Sequence, residues 1–144
     1  MMPRTLRVLA LLLAVSLSAG ACKKVIGDGC SASTDCSAAG DRQCDVSQAS
    51  GYCTIQGCDP NSCPDNALCI GFDAHAPRLE RRYCMAGCAV DSDCRTPEYR
   101  CVRTNPRACV NTANATGVLP VGQSCNVLID TVSRAAGYCA PAVQ

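Results

Sequence analysis

Fifteen cysteines in 144 residues dominate what this chain can become. A cysteine content near one in ten marks a disulfide scaffold rather than an ordinary intracellular domain. The spacing is also ordered. Cys30-x5-Cys36-x7-Cys44-x8-Cys53 is one unit, and Cys88-x5-Cys94-x6-Cys101-x7-Cys109 is another. Both open on Gly-Cys, at Gly29-Cys30 and Gly87-Cys88, and both place Asp before the second cysteine, at Asp35-Cys36 and Asp93-Cys94. Between them lies Cys58-x4-Cys63-x5-Cys69-x14-Cys84, preceded by Gly57. Cys125 and Cys139 remain, and read as a two-cysteine tail. Self-similarity at a fixed period signals repeats.

The expected fold is small, disulfide-rich and irregular, with short β-strands. It has three tandem four-cysteine units, 30–53, 54–84 and 85–109, and a tail, 110–144, with one cysteine pair. Units this short cannot offset chain entropy by burial alone. Disulfides, at roughly 2–4 kcal/mol each, must supply the difference. Pairing within units is expected, but four cysteines allow three connectivities and spacing does not choose among them. Tyr precedes a cysteine at Tyr52-Cys53, Tyr83-Cys84 and Tyr138-Cys139, whereas the expected closing cysteine of the third unit follows Ala108.

Secondary structure should be sparse. Leu68, Ile70 and Phe72 alternate along Ala67 to Phe72, which is strand periodicity. Tyr52 to Ile55 and Arg100 to Arg103 carry shorter versions. The stretch from Asn126 to Ala136 reads two ways: Leu128, Val132 and Ala135 suit a short helix, Val127 and Ile129 a strand. Asp59-Pro60-Asn61 is a turn signal, and Asp35 and Asp93 suit local turns by accepting backbone N–H bonds.

The N-terminus sets the compartment. Arg4 and Arg7 precede an apolar run from Val8 to Leu17 and then small residues, the form of a helical signal peptide over 1–21. Ala19-Gly20-Ala21 suits ordinary signal peptidase. Ser18-Ala19-Gly20-Ala21-Cys22 also resembles a bacterial lipobox, in which the cysteine is acylated before cleavage. Parity favours the lipobox. Lipid on Cys22 leaves 14 cysteines, an even number for an oxidising compartment. Residues 22–29 then form a lipidated tether, with Lys23 and Lys24 placed to meet anionic lipid. Lys23 in place of Asp after the acylated cysteine suits outer-membrane sorting.

Other chemistries find little support. No Cys-x2-Cys occurs, so neither a zinc knuckle nor a thioredoxin-type motif is expected. Asp28, Asp35, Asp41 and Asp45 match no calcium loop. His75 is the single histidine and has no nucleophilic constellation around it. The expectation is therefore a non-enzymatic protein without a metal or cofactor. Asn114-Ala115-Thr116 has the form of a glycosylation sequon, which a bacterial lipobox discounts.

Charge is segregated. Residues 22–77 hold three basic and seven acidic side chains, and residues 78–107 hold seven Arg against four acids. Arg78, Arg81 and Arg82, with Arg95, Arg100, Arg103 and Arg107 nearby, are candidate binding residues, because guanidinium forks suit carboxylate and phosphate. An acidic polysaccharide or an envelope protein is the expected partner, besides the membrane; near-zero overall charge argues against nucleic acid.

The leader ending in Ala21-Cys22, followed by units such as Cys30-Ser31-Ala32-Ser33-Thr34-Asp35-Cys36, resembles the small cysteine-rich lipoproteins of myxobacteria. The resemblance covers nearly the whole chain and implies an outer-membrane, cell-envelope location rather than an activity. It adds to the expectation of a structural or interaction module. The alternative is an inhibitor of a protease or other hydrolase, displaying Val118-Leu119-Pro120-Val121 on the loop between Cys109 and Cys125.

Overall fold

A computed structural model describes residues 23–72, 78–105 and 123–142 of the chain. Its units share one folding rule. In the first, Cys30 bonds Cys44 and Cys36 bonds Cys53. In the second, Cys58 bonds Cys69 and Cys63 bonds Cys84. Each unit thus joins its first cysteine to its third and its second to its fourth. The third and fourth face each other across antiparallel strands: Cys44 opposite Cys53, between β1 (Gln43–Asp45) and β2 (Tyr52–Thr54), and Cys69 opposite Cys84, between β3 (Ala67–Phe72) and β4 (Arg81–Cys88).

The third unit obeys the same rule with a different closing cysteine. Cys88 bonds Cys101, but Cys94 bonds Cys139, 45 residues away. Cys139 lies on β8 (Gly137–Pro141), directly opposite Cys101 of β5 (Tyr99–Thr104). The expected tail pair of Cys125 with Cys139 is therefore corrected. Strand register puts Cys139 where Cys53 and Cys84 stand, so the third unit closes outside 85–109. Cys125 is also disulfide-bonded.

The residue before each second cysteine caps the opening loop. Asp35 Oδ2 accepts from the N–H of Ser31 and Ala32, at 2.8 and 3.1 Å. Asp93 Oδ2 accepts from Ala89 and Val90 at the same distances. Ser62 takes this place in the second unit, its Oγ accepting from the Asp59 N–H at 3.0 Å. These bonds satisfy donors at the start of one helical turn, α1 (Ser33–Cys36), and of a 3₁₀ turn at Asp91–Asp93.

The segment after a closing cysteine makes a repeated contact with the next closing strand. Gln56, three residues past closing Cys53, bridges Tyr83, which precedes closing Cys84. Gly87, three residues past Cys84, pairs with Tyr138, which precedes closing Cys139. Arg95 adds a cross-tie from the third unit to the first. Its guanidinium donates to the carbonyls of Ala49 and Gly51 at 2.9 and 2.8 Å and lies 4.6 Å from the Tyr99 ring centre. Glu98 accepts from Ser50 Oγ at 2.6 Å. Gly51 is required here: its φ is +66°, and a Cβ would stand 1.9 Å from the Cys30 carbonyl oxygen.

The larger sheet has the order β6-β5-β8-β4-β3-β7, with β6 at Gln123–Ser124 and β7 at Val127–Leu128. Its two outer strands are three residues apart in sequence, a reach of about 10 Å. In a flat sheet they would lie about 24 Å apart. The sheet is therefore curled strongly toward closure. Side chains alternate across it. Ile70 pairs with Tyr83 and Val102 with Tyr138 on the concave face, while the facing but separately bonded cysteines, Cys69 opposite Cys84 and Cys101 opposite Cys139, lie on the other. The ring centres of Phe72 and Tyr138 are 6.3 Å apart, although their strands are separated by β4.

The Asn126 to Ala136 stretch contains β7 and no helix. Its middle hydrogen-bonds to the second unit instead. Ile129 N–H donates to the Cys69 carbonyl, and Asp130 accepts from the N–H groups of Asn61 and Cys69 at 2.7 and 3.0 Å. Those partners hold the backbone extended.

Candidate functional site

One end of the concave face is covered. Ala135 lies over Gly87 close to Leu68, while Ile129 lies over Gly71 on the opposite, cysteine-bearing face. The other end is open and forms a cleft of about 510 Å³. Phe72, Tyr83, Met85, Val102 and Tyr138 give it an aromatic and apolar floor, and the β1–β2 hairpin supplies one wall through Asp45, Gln48 and Tyr52. The opening has a structural cause. The β4 edge pairs with β8 only at Gly87 and Cys88. Farther back the same edge is taken by the segment that follows closing Cys53: Cys84 N–H donates to the Ile55 carbonyl and Gly57 N–H to that of Arg82.

Several polar groups of the cleft are already engaged. The Tyr138 hydroxyl accepts from Asn126 Nδ2 at 2.6 Å and shares a hydrogen bond with Ser124 Oγ at 2.8 Å. Asp45 Oδ1 accepts from the N–H and Oγ of Ser47. Tyr52 accepts from the Ala86 N–H through its hydroxyl oxygen, and burial pushes its ionisation far above the ordinary tyrosine range.

The three candidate arginines differ in their surroundings. Arg82 is tied to Glu80 at 2.8 Å. Arg78 is exposed and does not line the cleft. Arg81 is exposed at the cleft, next to Phe72 and Tyr83, with no acidic partner among the described residues. Arg95, grouped with the basic surface in sequence, is a cross-tie between units.

A second feature lies at the start of the described chain. Residues 23–29, expected to be a tether, are folded. Ile26 is 2% exposed within the main core. Gly27 N–H donates to the Cys53 carbonyl at 3.0 Å, and Cys53 N–H returns a bond to Asp28 at 2.9 Å. Arg42, itself buried, donates to the Lys24 carbonyl. The Lys24 ammonium turns back to the Gly29 carbonyl.

Three cysteine triplets have sulfur atoms within 4.8 Å of one another. All of them are consumed in disulfides, which leaves no thiolate for an ion. Cys22, His75, Arg107, Cys109, Asn114 and the 118–121 segment fall outside the described residues. Sequence reasoning missed the roles of Ile26, Arg42 and Asp130. Nothing in their local sequence marks them, because each acts through partners distant in the chain.

No protein-family model, curated protein or solved structure matches this chain. The fold itself defines the class: a small, disulfide-rich, mostly β protein built from cysteine units.

Proposed function

We propose that this chain is an exported, non-enzymatic protein of the bacterial cell envelope, anchored to the outer membrane by lipid on Cys22. Its cross-linked units act as one rigid interaction module. The lipobox-like leader and the even number of remaining cysteines support the anchor, and the disulfides suit an oxidising compartment. One observation carries the interaction reading: Arg81 is an unneutralised guanidinium beside an open aromatic cleft. A rigid concave surface loses little entropy on binding. Aromatic faces suit sugar rings, and a guanidinium suits a sugar carboxylate. An acidic polysaccharide is the partner this surface fits.

Retention of the purified protein on immobilised polygalacturonate, against neutral dextran, tests the reading. Wild type should bind the acidic polymer selectively. Arg81→Ala should weaken binding about tenfold, the value of one charge-assisted hydrogen bond. Arg82→Ala, which removes a guanidinium already paired with Glu80, should change it little. Equal retention on both polymers, or equal loss in both variants, refutes this assignment. Inhibition of a hydrolase panel by the same preparation would favour the inhibitor reading instead.

A further inference from the structure

The root of the chain is part of the body wall. From Lys24 onward every step is fixed by a contact. Arg42 holds the Lys24 carbonyl, Val25 N–H donates to Asp28 Oδ2 at 2.8 Å, and Asn66 Nδ2 donates to the Ile26 carbonyl at 3.2 Å. The Ile26 side chain is buried in the core that contains all three closing strands, among Tyr52, Cys84 and Cys139. A chain acylated at Cys22 therefore has one residue, Lys23, between its lipid and its fixed backbone. Two Cα steps span at most about 7.6 Å. The polar layer on one side of a bilayer is about 5–7 Å thick.

We propose that the protein is seated on the bilayer rather than tethered above it, with the Ala38–Asp41 loop of the first unit against the lipid headgroups. This inference rests on lipidation at Cys22. The loop is identified by its neighbours: Arg42, which ends it, grips the Lys24 carbonyl, and the Asp41 carboxyl is held below its ordinary range first by the Ser37 hydroxyl, then by Arg42 and its own backbone N–H, with Lys23 the smallest contributor.

The electrostatics of this surface favour no particular lipid. Lys23, Lys24 and Arg42 stand against Asp28, Asp35 and Asp41, so formal charges cancel. Lys24, expected to meet anionic headgroups, is directed to the Gly29 carbonyl. The seat is set by chain geometry, and anionic lipid is not needed for it. A seated body also has a limited working range: its cleft serves partners at the membrane surface, not partners reached on a long leash.

The chain contains no Trp, so one introduced Trp reports alone. Ala39→Trp, at an exposed position of the loop, is placed in the acylated protein and reconstituted into vesicles carrying a dansyl-headgroup lipid. Energy transfer should be strong, and the same in phosphatidylcholine vesicles as in vesicles with added phosphatidylglycerol. A second variant inserts 12 Gly/Ser residues between Cys22 and Lys23, a tether of about 19 Å root-mean-square length. It leaves the fold untouched and should reduce transfer several-fold. Intact-mass analysis of both proteins reports acylation separately. An acylated protein whose transfer ignores the insertion overturns the seat alone. A protein without acyl chains overturns the anchor and the seat with it.

Discussion

Removing the Cys94–Cys139 bridge is the sharpest test of how the third unit closes. The bridge spans 45 residues, whereas Cys58–Cys69 spans 11. On the chain-entropy account, releasing the longer loop costs about 4 kcal/mol and the shorter about 2.8 kcal/mol. A domain of this size has a total stability of about 5–15 kcal/mol. The structural position of β8 adds to the difference. It lies between β5 and β4, so loosening it disturbs the ladder on both sides. Guanidinium unfolding should therefore rank Cys94→Ser/Cys139→Ser below Cys58→Ser/Cys69→Ser by at least 1 kcal/mol. Alkylation of the single variant Cys94→Ser, without reduction, should label Cys139. The reasoning fails if Cys139 stays protected in that variant, or if the two double variants unfold in the opposite order.

Two further outcomes follow from the cysteine units. The loop-capping carboxylates of Asp35 and Asp93 are held below their ordinary range, first by hydrogen bonds from Ser31 and Ala32, and from Ala89 and Val90, respectively. A lowered folded-state value means that their stabilisation is full above about pH 4 and fades as pH falls through the folded value. Asp35→Ala/Asp93→Ala should lower Tm at neutral pH and flatten the acid limb of the Tm–pH curve; an unchanged acid limb would count against the caps. Acylation of Cys22 leaves Cys109 as the one cysteine not yet assigned when Cys125 is bonded, so peptide mapping should recover a Cys109–Cys125 peptide. A Cys22–Cys125 peptide would refute the lipid anchor.

The local elements were legible because their causes are local. Leu68, Ile70 and Phe72 announce β3 by alternation, and the structure places that strand at Ala67–Phe72. Asp35 and Asp93 announce capped turns because a short carboxylate reaches N–H groups three and four residues back. The Tyr-Cys step was legible in a different way. It marked Cys53, Cys84 and Cys139 alike, yet proximity in sequence favoured Cys109 as the third closing residue. The structure follows the Tyr-Cys step, because a closing cysteine needs a strand opposite its partner rather than a short spacer.

The candidate site was legible only in its ingredients. Arg81 and the aromatic side chains are visible in the sequence, but their meeting depends on how far the sheet curls and on where β8 leaves β4. Both depend on contacts between residues far apart: Asp130 with Cys69, Arg95 with Gly51, Gly57 with Arg82.

Residue order alone was enough to show that disulfides carry this fold, that three units repeat, and where each unit turns. These follow from residue type and short spacing, which act within one loop. Contacts distant in the chain settled which cysteine closes the third unit, which of the arginines unpaired among the described residues stands at the cleft, and that residues 23–29 belong to the body. Ile26 decides the last point. A single buried isoleucine contributes roughly 2–3 kcal/mol, but only once strands from three units have come together to bury it.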